Sequence, residues 1–211
     1  MKKSVILFLI VFSVGTVSGW GPLTHNAITK GAGRTSTGDL MGTCGPDIGY
    51  LLDTSGTIAK IFHDNNGYPN DKSFSRALNA SATTSTQKKM AVAWLGHNAA
   101  DVQFYNSKFK DLSKIPIDTL AVWEHSGSNY IDVDSTQIVN AYKKVTGKQM
   151  STTSVNAAEY TWQSVVAAEY VAALSPNAYI AAKGLVNADK GYSTYTNYYS
   201  KAVTAYKNAN L

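Results

Sequence analysis

The stretch Leu95-Gly96-His97-Asn98-Ala99-Ala100-Asp101 lies inside an alanine-rich run, residues 90–104, that predicts a buried helix. His97 and Asp101 are four residues apart, so on a helix their side chains share one face, about 5–6 Å apart. An imidazole nitrogen and a carboxylate oxygen at that spacing can bind one divalent metal ion. The alternative is a core histidine beside a nearby acid. The glycine and alanines around the pair allow other backbone segments to approach the helix closely.

Residues 1–19 have the pattern of a secretory signal peptide. Met1-Lys2-Lys3 is a basic start, residues 5–17 are apolar, and Val17-Ser18-Gly19 is a small-residue cleavage site. The apolar run is too short for a comfortable membrane span. We therefore expect cleavage after Gly19, a secreted or extracytoplasmic location, and one domain over residues 20–211.

The charge and the cysteine count set limits on partners and on stability. The net charge is +5, and Lys2 and Lys3 would leave with the signal. The remaining basic residues are scattered, so we expect no stable nucleic-acid complex. Cys44 is the single cysteine, which excludes an internal disulfide and leaves stability to packing and to metal. Cys44 itself is either a metal ligand or a small apolar core residue.

The expected mature start, Trp20-Gly21-Pro22-Leu23-Thr24-His25, contains two potential ligands. Cleavage would give Trp20 a free α-amino group, which can chelate a metal ion together with the carbonyl oxygen of the same residue. Binding must displace a proton from an amine whose usual pKa is about 8. His25 follows at the start of a predicted helix. The alternative is a helix start with an unrelated histidine.

The helical pattern continues along the chain, and no two-residue alternation flanked by hairpin turns predicts a strand. A loop is expected over residues 31–45, and a turn over 65–70. The long helix after the cluster 151–154 has an apolar stripe at Val155, Ala158, Trp162, Val165, Val166 and Leu174. We therefore expect an all-α, single-domain multi-helix bundle with a metal cluster between helices. The predicted helices cover residues 47–52, 57–62, 72–82 (helix or loop), 90–104, 117–125, 135–145, 155–174, 177–186 and 192–208.

The ordered motifs in the first half of the mature chain resemble the zinc-dependent phospholipase C family, which is related to the S1/P1-type single-strand nucleases. The motifs are Trp20-x4-His25, Gly-Pro-Asp47-Ile, His63 and Leu-Gly-His97-x3-Asp101. The resemblance implies two zinc sites that share Asp101 as a bridge. It assigns one zinc to Asp47, His63, His97 and Asp101. It assigns the second to Trp20, through amine and carbonyl, and to His25. From the residues alone, Asp47 has a second interpretation as a helix N-cap.

The third zinc site of that family is incomplete here. A histidine is expected six residues after the bridging aspartate, where this chain has Ser107. The next ligand pair is expected as a histidine and an acid four residues later, where this chain has His125 and Asn129. Asp132, seven residues after His125, could lie on the same helical face. One imidazole with one carboxylate makes a poor zinc site, so we expect two ions and a third site that is absent or weak.

Three functions are consistent with this pattern. The first is an exported phospholipase C-like phosphodiesterase, in which two close ions activate water for attack on phosphorus and Asp47 orients that water as a base. Its partners would be a phospholipid or another phosphodiester and, transiently, a membrane surface. The second is an S1/P1-type nuclease, which requires an aromatic base-stacking pocket. The tyrosines of the last twenty residues are assigned to packing instead. The third is a non-catalytic, metal-stabilised helical module with a decayed site.

Overall fold

The all-α prediction is confirmed. A computed structural model describes residues 19–64, 74–109, 114–127 and 131–211. Within these ranges the chain forms eleven α-helices and one 3₁₀ helix, and no strand. The elements are α1 (Pro22–Gly31), α2 (Thr37–Thr43), the 3₁₀ helix (Gly45–Ile48), α3 (Gly49–Leu52), α4 (Thr57–Phe62), α5 (Phe74–Ser81), α6 (Ser85–Ser107), α7 (Lys114–His125), α8 (Ser135–Thr146), α9 (Thr152–Ala173), α10 (Pro176–Asp189) and α11 (Tyr192–Asn208).

Helix α6 is the helix predicted around His97, and it extends further at both ends than the apolar run. Thr84 begins it with a capping box, in which Gln87 N–H donates to the threonine hydroxyl at 3.1 Å. Lys108 ends it in the left-handed conformation, with φ of 60°. The helix contributes to two apolar clusters, one with α1, α7 and α11 and the other with α4, α5, α8 and α9. Because it is enclosed on several sides, α6 can hold polar side chains away from water.

Helix α2 lies where the sequence predicts a loop, and that prediction is wrong. Ser36 and Asp39 form a capping box at its start. The glycines that favoured a loop are needed for close packing on α6. A Cβ on Gly38 would lie 2.3 Å from the Thr86 carbonyl oxygen, and one on Gly42 would lie 2.4 Å from the Met90 carbonyl oxygen. Glycine here costs helix propensity but allows the two backbones to touch.

The C-terminal tyrosines pack in the core, as predicted. Tyr195 and Tyr206 of α11 are fully buried and Tyr199 is nearly so. The Tyr206 ring covers Gly96 of α6, where an added Cβ would come within 2.9 Å of the ring. The small residue beside His97 therefore accommodates a side chain, and not a backbone segment as expected.

Two further details differ from the sequence-based expectation. Leu174, assigned to the apolar stripe of α9, lies after the end of that helix and is 48% exposed. Helix α7 ends at His125, so Asp132 is not on its face, and Asp132 instead accepts a hydrogen bond from Gln163.

Among the described residues, no helix is both long enough and apolar enough to cross a membrane. The signal-peptide prediction (apart from Gly19), the predicted turn over 65–70 and Asn129 lie outside the described residues.

Candidate metal centre

The structure brings the six predicted ligand residues together from separate parts of the chain. Every one of them is buried, from 0% exposure at His25 and His97 to 8% at Asp101. Buried histidines and carboxylates gathered from distant elements need a compensating partner, since each charge is costly away from water. The residues are Trp20 before α1, His25 in α1, Asp47 in the 3₁₀ helix, His63 after α4, and His97 and Asp101 in α6.

Two backbone carbonyls orient the imidazoles of His63 and His97. The Nδ1 atom of His63 is 2.8 Å from the Ala59 carbonyl oxygen, and the Nδ1 atom of His97 is 2.6 Å from the Thr43 carbonyl oxygen. A carbonyl oxygen only accepts, so both Nδ1 atoms carry the proton, and in the neutral rings both Nε2 atoms present lone pairs. The two Nε2 atoms lie 3.3 Å apart. Such a close pair of lone pairs needs a cation or an added proton between them.

The spacing around these two nitrogens fits a tetrahedral ion. Oδ1 of Asp47 lies 3.4 Å from Nε2 of His63 and 3.8 Å from Nε2 of His97. Oδ2 of Asp101 lies 3.3 Å from Nε2 of His97 and 3.7 Å from Nε2 of His63. Ligands held about 2.0–2.1 Å from a tetrahedral zinc are about 3.4 Å from one another. Among the described residues, His63, His97 and Asp101 offer ligand atoms that all lie within 4.8 Å of one another, and so do His25, Asp47 and His97; either group could hold a metal ion.

The other carboxylate oxygen of Asp101 points toward Trp20 and His25. The Trp20 backbone nitrogen donates to Oδ1 of Asp101 at 2.8 Å, and Nε2 of His25 lies 3.0 Å from the same oxygen. His25 is stacked on His97, with ring centroids 3.6 Å apart. Neither ring nitrogen of His25 makes a well-aligned hydrogen bond to a described group, although the residue is fully buried. His25 is thus a buried histidine next to the Asp101 carboxylate, and with Asp47 and His97 it forms one of the groups that could hold a metal ion.

The electrostatics of the two acids favour their ionised forms. Burial disfavours the Asp101 carboxylate, but the neighbouring His25 and His97 outweigh burial, and the pKa of Asp101 lies well below its usual range. Burial opposes ionisation of Asp47 in the same way, and His97 and His63 lower its pKa overall. When the three imidazoles are neutral, the two buried carboxylates give the centre a net negative charge.

Asp118 of α7 holds the segment that carries Trp20 and His25, and sequence reasoning did not single it out. Its carboxylate accepts hydrogen bonds from Thr24 N at 3.0 Å, from the Thr24 hydroxyl at 2.5 Å and from Leu23 N at 3.4 Å. Gly21, the N-cap residue, has no side chain that could accept these hydrogen bonds itself. Such a cap stabilises a helix start by about 1 kcal/mol. Asp118 thereby fixes the start of α1, from which His25 projects.

Asp64 and Asn98 fix the turn that carries His63. Asp64 has a left-handed backbone, with φ of 52°, and its carboxylate accepts hydrogen bonds from the start of α5. The Asn98 amide donates to Oδ2 of Asp64 at 3.0 Å, and the Trp94 indole donates to the Phe62 carbonyl oxygen at 2.7 Å. Adjacency to His63 and His97 was the sequence signal that could have identified Asp64 and Asn98.

Tyr50 of α3 also borders the centre. Its ring centroid is 5.4 Å from that of His63, and the residue is half-buried. Burial, together with the charges of Asp47 and Asp101, raises the pKa of its phenol. The phenol therefore stays protonated at neutral pH and can act as a hydrogen-bond donor.

The third zinc site of the resembling family, which the sequence predicts to be absent or weak, has no comparable group of ligands among the described residues. His125 is stacked on Tyr199, with ring centroids 3.9 Å apart, and its buried Nε2 has no hydrogen-bond partner in the described part of the chain. Ser107 donates to the Phe104 carbonyl oxygen and accepts from Phe109 N, so its hydroxyl is used at the end of α6.

Cys44 is a buried free thiol outside the metal-binding groups found in the described residues. Its sulfur lies 3.7 Å from the Pro22 carbonyl oxygen. Burial raises the pKa of the thiol, and the nearby Asp47 and Asp118 raise it further. The protonated form acts as a small core residue and not as a metal-binding thiolate.

Comparison with known proteins gives no assigned function. No family model matches the chain, and no solved structure matches it. One relative is an uncharacterised protein of Archaeoglobus fulgidus, 32% identical over 111 residues. The aligned part covers 48% of this chain and 31% of the relative, so the chain spans less than a third of that protein's length.

Proposed function

We propose that the protein is an exported, zinc-dependent phosphodiesterase of the phospholipase C type. One observation carries the proposal: both oxygens of Asp101 are used, one toward His63 and His97 and the other toward Trp20 and His25. A carboxylate in that position can bridge two ions. Two-metal centres are common in enzymes that hydrolyse phosphate esters, because paired cations hold both the attacking and the leaving oxygens.

The donor types favour zinc over magnesium or calcium. The three imidazoles with two carboxylates make a mixed nitrogen and oxygen set, whereas magnesium and calcium prefer oxygen alone. Asp47, His63, His97 and Asp101 would hold one ion. Trp20, His25 and Asp101 would hold the second. The proposed stoichiometry is therefore two zinc ions per chain.

The chain's own residues have distinct roles in the proposed reaction. Zinc, when bound, would lower the pKa of water and neutralise charge on the phosphoryl oxygens. The Ala59 and Thr43 carbonyls keep the His63 and His97 imidazoles turned inward with Nε2 free. Asp47 is the carboxylate placed to orient a water and accept its proton where it is not fully used as a ligand.

Removal of residues 1–19 is part of the proposal, because the Trp20 nitrogen already lies in the centre. In the uncleaved chain this nitrogen is an amide, which is a poor ligand, and it donates to Asp101. Gly19 is buried against the same carboxylate, where an added Cβ would lie 2.4 Å from Oδ1. Cleavage would supply an amine at this point and remove Gly19 from it.

A metal-stabilised, non-catalytic module is the second candidate, favoured by the enclosure of the ligands. Every ligand residue is at most 8% exposed, whereas a substrate must reach the ions. An S1/P1-type nuclease is less favoured, because Tyr195 and Tyr206 are core residues and offer no base-stacking surface. The substrate in the proposal is a phospholipid or another phosphodiester, a membrane surface is met only transiently, and no stable nucleic-acid complex is expected.

An assay of the mature chain, residues 20–211, separates these candidates. The zinc-loaded protein is incubated with phosphatidylcholine vesicles, with bis(p-nitrophenyl) phosphate and with single-stranded DNA. Release of the phosphorylated head group or nitrophenol, lost after chelation and restored by zinc, supports the phosphodiesterase. Cleavage of DNA alone favours the nuclease. A protein that holds zinc but cleaves none of the three is the non-catalytic module.

A further inference from the structure

Tyr50 is placed at the edge of the metal centre by the same short helical segment that supplies Asp47. The two residues are three apart, across the junction of the 3₁₀ helix and α3, so they share one face. The Tyr50 ring lies tilted beside the His63 ring, with centroids 5.4 Å apart. Tyr50 is therefore fixed relative to two of the ligands at once.

The surroundings of Tyr50 differ from those of its neighbours in α3. Leu51 and Leu52 pack against the second apolar cluster, and Tyr50 does not belong to it. The phenol is within electrostatic reach of both Asp47 and Asp101. Within the described part of the chain, no group is in hydrogen-bonding position to the Tyr50 hydroxyl. The phenol of this half-buried residue is therefore free to donate a hydrogen bond to a ligand.

Exposure separates Tyr50 from the residues that would hold metal. The ligands are enclosed, with His97 at 0% and His63 at 5% exposure, whereas Tyr50 is half-buried. Tyr50 is thus a polar side chain beside the centre that is partly open to solvent.

We propose that Tyr50 is a substrate-binding residue whose phenol donates a hydrogen bond to an anionic oxygen of a phosphate or phosphate ester at the His/Asp centre. The inference rests on the metal centre of the proposed function and names the residue that holds its ligand. A neutral phenol suits this position, because a lysine or arginine would pair with Asp47 or Asp101 and be held away from the ligand. Within the described residues, the Tyr50 hydroxyl makes no hydrogen bond that would have to break before it donates to the phosphate.

Removal of this donor has a measurable consequence. A hydrogen bond from a neutral donor to a charged group is among the stronger ones in proteins. Its loss is expected to weaken phosphate binding about tenfold or more. The Tyr50 hydroxyl contacts no proposed ligand atom, so zinc content is expected to stay the same.

Inorganic phosphate is the probe, titrated into the zinc-loaded mature protein by calorimetry. Tyr50→Phe keeps the ring on His63 and removes only the hydroxyl. The matched control is Tyr160→Phe, since Tyr160 lies on α9 with 73% exposure. We expect about a tenfold higher Kd in Tyr50→Phe, the wild-type Kd in Tyr160→Phe, and equal zinc content in all three.

Three results would overturn the assignment of Tyr50: an unchanged Kd in Tyr50→Phe, loss of zinc in that variant, or no phosphate binding by the loaded wild type. Hydrolysis is measured on the same preparations. A wild type that binds phosphate through Tyr50 but cleaves no diester contradicts the proposed function and leaves this inference standing.

Discussion

The His/Asp centre and the surroundings of His125 are two regions where the family resemblance places metal ions, and the sequence predicts a metal site in the first and an absent or weak site in the second. In the first, His63 and His97 are turned by backbone carbonyls so that their Nε2 atoms approach to 3.3 Å. In the second, His125 is stacked on Tyr199 and belongs to no group of metal-binding side chains among the described residues. The buried histidines of the first region thus lie in groups that could hold a metal ion, whereas the partly buried His125 packs against an aromatic ring.

The difference lies in what surrounds the imidazoles. In the first region, each free nitrogen faces a carboxylate oxygen within 4 Å. In the second, the nearest acid in the chain, Glu124, is used by the hydroxyls of Tyr179 and Tyr192 at 3.0 and 2.7 Å. A zinc site needs three or four protein ligands, and among the described residues His125 belongs to no such group.

The largest expected effect follows removal of the carboxylate that serves both ions. Asp101→Ala should lose both zinc ions and the stability they add. A ligand at about a thousand times its Kd stabilises the native state by about 4 kcal/mol. For a chain of this size, that corresponds to a fall in Tm of roughly 10 °C. Metal analysis after dialysis and thermal unfolding measure the two effects.

The matched control for this change is Asp189→Ala, at the end of α10, where the acid pairs with Lys190 at 3.9 Å. It should keep both ions and the wild-type Tm. If a chelator leaves the Tm of the wild type unchanged, metal does not stabilise the fold and the first region is no different from the second.

The second expected effect is the loss of one of the two ions. A mature chain that keeps Gly19 ahead of Trp20 has an amide in place of the amine and should bind one zinc fewer, with the fold kept. Most activity should be lost with that ion. Mass spectrometry of the intact complex counts the ions. Equal zinc content in the chains that begin at Gly19 and at Trp20 would remove Trp20 from the ligand set.

Much of the centre could be predicted because its ligands lie in short motifs with fixed spacing. The i, i+4 pair His97 and Asp101 requires only that the run be helical. The direction of the His97 imidazole could not be predicted, since it depends on the Thr43 carbonyl, and Thr43 lies in helix α2, whose glycines had predicted a loop. Asp118 was not predicted for a similar reason. It accepts a hydrogen bond from Thr24, which is 94 residues away in the sequence, and a capping residue so far from its helix leaves no local pattern. The position of Tyr50 could not be predicted either, because it depends on how the 3₁₀ helix joins α3.

The third effect is a gain of metal in the second region. Ser107→His together with Asn129→Glu supplies an imidazole and a carboxylate to accompany His125. It should recruit a third zinc, held more weakly than the first two, and raise phosphodiester hydrolysis by stabilising the leaving group. Ser107 makes two hydrogen bonds at the end of α6, so Ser107→Ala is needed to measure their loss alone.

Three ions in the dialysed wild type would contradict the expected difference between the regions. A double variant with three ions and an unchanged rate would show that the third ion has no part in the reaction.

The smallest expected effect concerns protonation of His125. Burial lowers the pKa of its imidazole, and the neighbouring Glu124 only partly opposes this. The unfolded chain therefore takes up this proton first as the pH falls. The stability that comes from keeping His125 neutral is fully present above its usual pKa of about 6.5 and is lost as the pH falls through the lower folded value.

His125→Phe keeps an aromatic ring on Tyr199 and removes the titration. Unfolding of the metal-free protein by urea, at about pH 7.5 and about pH 5.5, should show a smaller loss of stability on acidification in the variant than in the wild type. All other side chains are the same in both proteins, so the difference between the two belongs to His125. Zinc content should be the same in both, because His125 holds no ion. A variant that loses zinc would place His125 with the metal ligands and contradict the difference between the two regions. A variant that keeps the full pH dependence would show that protonation of His125 does not lower the stability.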